Sequence, residues 1–320
     1  MANVSGQGTS WNLPNFVGEL YLVGANATPF LSMIGGLQGG RVKVVGDQQF
    51  VLAQTFALEA AAQPAIDETT SLTAPTPVSY VRAADYNTCQ IHQKSVKVSY
   101  VKQAVTGQVT ADPTTGLVDI SDSQPVKNER DFQIETVMKQ ISVDMEYTFL
   151  NGAYQQSTAA NVAAKTRGVI AACSTNAVAA GSVTLDRALI NQLVKSMADN
   201  GAEFREPVLF CNSFQKQKIT EIFGYAPDSR TVGGVAIDEL LLDFCKLGVV
   251  WAPKVPTDTV LIADVSVCSP VFLPVAGKGV LFYEELGRTG ASEDGQIFGL
   301  VGLDYGPEEF HGKITGLATS

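Results

Sequence analysis

The sequence predicts an α+β fold, and three observations support this prediction. Two strand-like segments, Arg41–Leu58 and Val78–Val101, flank a polar stretch. A long amphipathic helix follows Asn128, and from Ser174 onward short helices alternate with short apolar strands. No repeat of fixed period is visible along the 320 residues.

The first forty residues are expected to form an apolar arm. They carry a single charged residue, Glu19, and include the apolar runs Phe16–Val23 and Thr28–Gly36. Because burying a large apolar side chain is worth about 1.5 to 3 kcal/mol, more than ordering one residue costs, the arm should pack against protein. Gly18 and Pro29 interrupt the run too early for a membrane span, and no basic residue precedes it as in a signal peptide.

Residues 41–100 are expected to form a long hairpin that projects from the body of the protein. Its tip, Glu59–Pro77, is rich in Ala, Thr and Pro and looks polar. A hairpin with a wide tip has few contacts within its own chain, so neighbours would supply most of its stabilisation. The tip contains three acidic residues: Glu59, Asp67 and Glu68.

The clearest helix begins after Asn128, which is a good N-cap residue. Apolar residues then recur at steps of three and four: Ile134, Met138, Ile141, Met145 and Phe149. The helix is expected to reach about Tyr154, which gives a length of nearly 40 Å at about 1.5 Å per residue. A helix of this length can serve as a spine along one face of the protein.

A second body is predicted to begin near Ser174. Thr184 is expected to cap one helix and Ser213 a second, with a buried strand, Pro207–Cys211, between them. Further short apolar runs indicate a mixed α/β domain, and the last forty residues return to strands.

The composition limits the possible functions. Hydrophobic residues make up 45% and charged residues 17% of the chain, which suggests large buried contacts between chains. The formal net charge of -10 and the absence of any run of five basic residues argue against a surface that grips nucleic acid. The five cysteines contain no Cys-x-x-Cys pair, so they are interpreted as buried, reduced thiols.

The motifs of catalysis are missing from the sequence. There is no Gly-x-Ser-x-Gly motif, and Gly306–Lys313 fails as a phosphate-binding loop because its glycines have the wrong spacing. Asp112, Asp119 and Asp122 lack the glycine and glutamate of a recognised calcium loop. His311, with Glu308 and Glu309 beside it, is more consistent with a structural histidine than with a general base.

Two pairs of motifs carry a resemblance to a known family. The opening residues Asn15–Leu20 and Thr28–Gly36, and the closing residues Lys278–Glu284 and Gly302–Lys313, look like those of the major capsid protein of tailed bacteriophages. The fold of that family is shared with encapsulins and with the floor domain of herpesvirus capsids. The resemblance covers nearly the whole chain.

The resemblance implies a division of the chain. Residues 1–40 would be the N-terminal arm and 41–100 the extended loop. Residues 101–175 and 276–320 would form a peripheral domain, with the spine helix at about 129–154. Residues 176–275 would form an axial domain, and in such shells the axial domains meet around the five-fold and six-fold axes.

The resemblance also implies a function and partners. The chain would be a structural protein rather than an enzyme, without cofactor or metal. It would self-assemble into pentamers and hexamers of an icosahedral phage head that encloses double-stranded DNA, without sequence-specific binding and without a membrane. A separate scaffolding protein, a portal and cement or decoration proteins are the further partners expected. Assembly would take place in the cytoplasm of the bacterial host, and the finished protein would reside in the virion.

The expected contacts between subunits fall on the arm and on the loop. Apolar anchors on the arm would be buried at interfaces, and the acids at the loop tip would pair with basic groups of a neighbour. The residues concerned are Phe16, Leu20, Phe30 and Met33 on the arm, and Glu59, Asp67 and Glu68 on the loop. Two alternatives remain open from the sequence: an encapsulin-like compartment that holds an enzyme cargo, and a hydrolase that uses His311.

Overall fold

The computed structural model describes residues 22, 24–36, 41–104, 109–111, 118–120, 128–223, 228–232, 235–287 and 290–319. Within these residues helices and strands are mixed, as the sequence predicts for an α+β protein. The helices are α1 (Pro29–Met33), α2 (Glu68–Ser71), α3 (Tyr100–Ala104), α4 (Glu129–Asn151), α5 (Val169–Ala172), α6 (Arg187–Asp199) and α7 (Ser213–Phe223). A short 3-10 turn spans Glu308–Phe310.

The described strands fall in two groups along the chain. Those before α6 are β1 (Lys43–Val44), β2 (Gln49–Thr55), β3 (Ala83–Thr88), β4 (Gln90–Ser99), β5 (Val109–Ala111), β6 (Val118–Ile120) and β7 (Ala177–Ala179). Those after α6 are β8 (Pro207–Cys211), β9 (Asp228–Val232), β10 (Val235–Leu241), β11 (Lys246–Trp251), β12 (Val260–Asp264), β13 (Ser269–Leu273), β14 (Leu281–Glu285), β15 (Ser292–Asp304) and β16 (Gly312–Thr315).

The described strands form two main sheets. A seven-stranded sheet has the order β7-β16-β12-β8-β11-β10-β9, and a five-stranded sheet has the order β1-β13-β15-β14, with β4 also paired to β15. Two small hairpins, β2-β3 and β5-β6, stand apart from these sheets. Four strands pair across the predicted domain limits. Strand β16 lies in the seven-stranded sheet, while β13 and two strands of the predicted loop 41–100, β1 and β4, lie in the five-stranded sheet. The division into arm, loop, peripheral and axial domains otherwise stays a prediction.

Two hydrophobic cores lie on opposite faces of the seven-stranded sheet. Residues of β8 alternate between them: Val208 and Phe210 belong to one core, whereas Leu209 and Cys211 belong to the other. Because side chains along a strand point to opposite faces in turn, a strand buried on both faces reads as a continuous apolar run. This explains why Pro207–Cys211 was recognisable as a buried strand from the sequence.

The spine helix α4 begins where the sequence predicts. The side chain of Asn128 accepts a hydrogen bond from the N–H of Arg130, and Ile141, Met145 and Phe149 are buried. The helix ends at Asn151 rather than Tyr154, because Gly152 has an extended backbone with ψ 133°. The backbone of Gly168 then crosses closely, and its N–H donates to the Gly152 carbonyl at 2.8 Å.

Two predicted N-caps are wrong by one or two residues. Asp186, not Thr184, caps α6 by accepting from the N–H of Leu189 at 2.8 Å. Asn212, not Ser213, accepts from the N–H of Gln215 at 2.9 Å at the start of α7. Asp and Asn are good N-cap residues, as are Thr and Ser. Where two such residues lie close together, the local sequence does not decide which of them caps the helix.

The extended loop contains shorter strands than the sequence suggests. Strands β2 and β3 pair antiparallel, with a bulge between Val51 and Gln54, and every residue from 56 to 82 is exposed. The second half of the predicted returning strand is β4, which follows Cys89 and pairs with β15 in the body instead. The loop tip, defined here as residues 56–82, is therefore carried by a two-stranded stalk.

Replacing Gly152 with alanine is expected to destabilise the fold. An added Cβ would collide with the carbonyl oxygens of Thr148 and Thr166, neither of which can move without breaking local structure. We expect the free energy of unfolding of the unassembled chain to fall by about 2 kcal/mol or more in denaturant titrations. Gly46→Ala is the matched control, because nothing lies near the Cβ it would gain and its free energy should change little. Equal effects for the two variants would contradict this role of Gly152.

Candidate functional site

The loop tip exposes a group of large apolar side chains, most of which flank the stretch 59–77 that the sequence predicts to be polar. Its large apolar side chains are mostly in solvent; Leu72, for example, is 84% exposed. The members of this surface are Phe56, Leu58, Ile66, Leu72, Val78, Tyr80 and Val81. A group of exposed apolar residues on one projection is typical of a surface that binds protein.

The acidic residues of the loop tip are also exposed. Asp67 is the N-cap of α2, where its carboxylate accepts from the N–H of Thr70 at 2.6 Å. This hydrogen bond from Thr70 lowers the pKa of the Asp67 carboxyl. Asp67 therefore shapes the tip, while the side chains of Glu59 and Glu68 extend into solvent.

A cluster of polar side chains fixes the base of the loop to the body. The Arg167 guanidinium donates to Asp85 of β3 at 2.5 Å and to the hydroxyl of Tyr305 at 3.1 Å. The same guanidinium lies over the ring of Tyr154, 4.8 Å from its centre. Asn87 adds a buried bond by donating to the Leu303 carbonyl at 2.7 Å. The stalk is thus held by the body even though its tip is not.

The arm is joined to the spine helix through one buried carboxylate. Glu146 of α4 is fully buried, and its two oxygens accept from the N–H groups of Phe30 at 3.0 Å and of Leu31 at 2.7 Å. Thr28, the N-cap residue of α1, makes no side-chain capping bond. Glu146 of α4 therefore takes the place of an N-cap side chain for α1. Its burial raises the pKa of the carboxyl to about 7, against the two N–H donors, which lower it.

The apolar residues of α1 are buried in the chain's own core. Phe30 packs edge-to-face on Phe210, with ring centres 5.4 Å apart, and Met33 is 3% exposed. Both side chains are covered by the same chain, and the expectation that they contact a neighbouring subunit stays a prediction. Phe16 and Leu20, the other two predicted anchors, lie outside the described residues. Of the predicted contact residues, only the loop acids are exposed in the part that the structure describes.

His311 has no capacity left for catalysis. It is fully buried, and its Nδ1 accepts from the N–H of Asp264 at 3.3 Å, which makes Nε2 the donor to the Tyr305 carbonyl at 2.6 Å. Burial lowers the pKa of the imidazole, so the ring is held neutral. The neighbouring Glu308 carboxylate accepts from Ser174 and Thr175 instead of activating the ring. The hydrolase alternative therefore has no support at this residue.

Four of the five cysteine thiols are buried. Burial raises the pKa of the Cys89, Cys173 and Cys211 thiols to about 12, so all three are protonated at neutral pH.

Within the described ranges no group of three His, Cys, Asp or Glu residues is placed to hold a metal ion. Of the predicted calcium-loop residues, Asp112 and Asp122 lie outside these ranges, and only the backbone of Asp119, in β6, is described. In the same ranges no helix has the length and apolarity to cross a membrane.

Sequence reasoning missed Glu146 and Arg167. Glu146 did leave a signal, since it lies three residues before Phe149 and four before Leu150, on the buried side of an amphipathic helix. A charged residue at such a position needs a partner, which here comes from the arm. The partners of Arg167 are far apart in sequence, and nothing in the local pattern links them.

One known protein family matches nearly the whole chain. The family model described as the SU10 major capsid protein matches residues 3–318. A search of curated proteins finds no match.

Solved structures of similar fold include two capsids and an encapsulin. The capsid of a native GTA particle is 13% identical over 99% of each chain, with a TM-score of 0.60. The capsid of cyanophage A-1(L) is 11% identical over 97% of each chain, also with a TM-score of 0.60. The holo-SrpI encapsulin complex from Synechococcus elongatus is 9% identical over 88% of this chain and 86% of that chain, with a TM-score of 0.52. These likenesses establish the fold, and the family match over residues 3–318 confirms the resemblance that the sequence motifs carry.

Replacing Arg167 with alanine is expected to loosen the loop base. Asp85 and the Tyr305 hydroxyl would lose a shared cationic partner, which should cost about 1 to 3 kcal/mol of unfolding free energy. Hydrogen exchange of β3 should speed up in the same variant. Arg205→Ala is the control, because Arg205 pairs with Glu203 in an exposed ion pair that should be worth less than about 1 kcal/mol. Unchanged exchange in β3 of the Arg167 variant would contradict this anchoring role.

Proposed function

Because the chain belongs to the SU10 major capsid protein family, we propose that it self-assembles into pentamers and hexamers of an icosahedral phage head enclosing double-stranded DNA. It is a structural capsid protein rather than an enzyme, and it is a component of the virion. Self-association is the core of this function. The pentamers, the hexamers and the enclosed DNA are the parts that we add as a proposal.

The observation that carries the proposal is the exposed apolar loop tip. A stalk fixed at its base by Arg167 holds apolar side chains such as Leu72 and Val81 away from the chain's own cores. Covering each of them would contribute about 1.5 to 3 kcal/mol, and in a closed shell the same contact recurs in every subunit. We propose that the loop tip packs on a neighbouring subunit and that Glu59, Asp67 and Glu68 face basic groups there.

A second exposed apolar site lies at the β10-β11 hairpin of the predicted axial domain. Leu241 is 74% exposed, and Phe244 in the turn is 55% exposed. We propose that this hairpin contributes to contacts within a pentamer or hexamer. It lies on the seven-stranded sheet, whereas the loop tip is rooted beside the five-stranded one, so the two sites serve different contacts.

The other partners follow from the same function. The net charge of -10 favours packaged DNA that is enclosed without sequence-specific contacts. A scaffolding protein, a portal and cement or decoration proteins are proposed as further partners, with assembly in the cytoplasm of the bacterial host. An encapsulin-like compartment shares the fold, but the family match favours the phage capsid.

Removing the apolar character of the loop tip is expected to block assembly without unfolding the subunit. The double variant Leu72→Ser with Val81→Ser should keep the melting temperature of the unassembled chain, because both side chains are already exposed. The yield of closed particles, counted by electron microscopy, should fall at least about tenfold, the equivalent of 1.4 kcal/mol.

The control for this experiment keeps the apolar surface. Leu72→Met with Val81→Ile should assemble like the parent chain, since both replacements remain apolar and of similar size. Normal particle yield from the serine variant would remove the main support for the proposed loop contact.

Truncating the arm at two different points should separate assembly from folding. Deleting residues 1–21 leaves every described core residue in place, so the melting temperature should hold while particle formation is lost. Deleting residues 1–36 also removes the fully buried Phe30 and Ile34, and should cost at least about 3 kcal/mol of stability. If particles of normal form and yield appeared after the shorter deletion, the arm would have no part in assembly.

A further inference from the structure

We propose that residues 16–21 of one subunit's arm bind in a groove beside helix α4 of a neighbouring subunit, where Glu19 pairs with Lys139. The inference rests on the proposed function, since it names the surface of a second copy that receives the arm. Residues 16–21 lie outside the described residues, whereas the groove lies within them.

The groove has a volume of about 480 Å³ and lies between the start of the described chain and helix α4. One wall consists of Leu22, Asn26 and Thr28. The other wall is a stripe of α4 whose members recur at steps of three and four, on the side of the helix opposite to the buried Ile141 and Met145. The members of this stripe are Phe132, Thr136, Lys139, Gln140 and Val143. The groove therefore faces away from the core that α4 packs against.

Most polar groups on the α4 wall already have partners. The hydroxyl of Thr136 donates to the carbonyl of Phe132 at 2.8 Å, and the hydroxyl of Ser142 donates to a carbonyl one turn earlier at 3.1 Å. The side-chain amide of Gln140 donates to Asp144 at 2.8 Å. These groups need nothing from an occupant, which instead meets apolar surface such as the half-buried ring of Phe132.

Lys139 is the exception on this wall. It is exposed, and no ion pair joins it to any residue within the ranges that the structure describes. Lys94, which also lies beside α4, is by contrast paired with Asp144 at 2.7 Å. Apolar surface with a single free ammonium group is complementary to an apolar segment with one carboxylate.

Residues 16–21 have this composition. The large apolar side chains of the segment are Phe16, Val17, Leu20 and Tyr21, and Glu19 is the only charged residue among the first forty. Covering the apolar side chains is the favourable term that orders such a segment on a surface. One carboxylate on the arm then matches one free lysine in the groove.

The occupant is assigned to a neighbouring copy rather than to the same chain. Leu22 directly follows residues 16–21 and lines the groove, yet 68% of its surface is exposed in the single chain. A segment of the same chain that filled the groove would cover Leu22 as well. The chain self-associates as a capsid protein, so a second copy is at hand to supply the segment.

The loop tip is a poorer match for the same groove. It carries three acids, Glu59, Asp67 and Glu68, and Asp67 is already engaged as the N-cap of α2. Lys139 balances one carboxylate only. A further acid brought against the apolar wall would lose water without gaining a partner, which is unfavourable.

Zero-length cross-linking of particles made from the full-length chain tests the contact. A carbodiimide condenses a carboxylate with an amine that it already touches, so Glu19 and Lys139 should become joined by an amide bond. Particles are assembled from a mixture of unlabelled and isotope-labelled chains, and cross-linked peptides are identified by mass spectrometry. We expect Glu19 linked to Lys139 in peptide pairs of which only one member is labelled. Lys195, an exposed lysine of α6, is the control and should not be linked to Glu19.

The same spectra contain the results that would overturn the inference. Peptide pairs whose members always carry the same label would place the contact inside one chain. A link from Lys139 to Glu59 or Glu68 would make the loop tip the occupant, and intact particles without any link from Glu19 to Lys139 would remove the contact. Each of these results leaves the proposed function standing because particles have formed, whereas a chain that forms no particles would overturn both.

Exchanging the two charges gives an independent measurement. Lys139→Glu should raise the chain concentration needed for particle assembly about three- to fivefold, because one exposed ion pair per subunit is lost. Adding Glu19→Lys to this variant should restore the parent concentration. Lys195→Glu makes the same change of net charge on another exposed helix surface and should leave assembly unchanged. Equal shifts for the two single lysine variants, or no recovery in the double variant, would contradict the pairing.

Discussion

The constraint on which the rest of the structure depends is that strands β8, β11 and β12 are buried on both faces. One face packs on helix α6, and the other faces the core that contains α4, α5 and the five-stranded sheet. Since these strands serve both cores, the two sheets form one continuous body rather than two separable ones. Phe30 of the arm packs on Phe210 of β8, so helix α1 is also tied to this central element. Burial of such side chains is the largest favourable term in holding the parts together.

Different interactions stabilise the body and the loop tip. In the body, polar groups such as Asn87, Glu146 and His311 are buried and satisfied by backbone partners. At the loop tip, apolar groups are left in water and hydrogen bonds are local, as between Asp67 and Thr70. The first arrangement is complete within one chain, whereas the second is favourable only when another surface covers it. This division fits a protein whose function is carried by contacts rather than by a reactive site.

Local periodicity was enough to predict some elements of this fold. The spacing of Ile141, Met145 and Phe149 located α4, and the apolar run of Pro207–Cys211 located β8. Long-range pairing was beyond reach: nothing near β4 indicates that it leaves the hairpin to pair with β15, some two hundred residues away. The stretch 59–77 was predicted to be polar because Ala, Thr and Pro dominate its composition. The apolar residues beside it, such as Val81, were assigned to strands, and their exposure could not be predicted because it depends on how the rest of the chain folds. Phe30, which the sequence places on the arm, is buried against Phe210 of the same chain, and no local pattern indicates this long-range contact.

The exposure of the whole loop tip has a further consequence for a shell built from one kind of chain. Because every residue from 56 to 82 is exposed, the body imposes little preference on the path of this segment. If the loop tip packs on a neighbouring subunit as proposed, that surface can select its conformation at the small free-energy cost of local torsions. Copies of the same sequence could then occupy places of unequal curvature without any change in their cores.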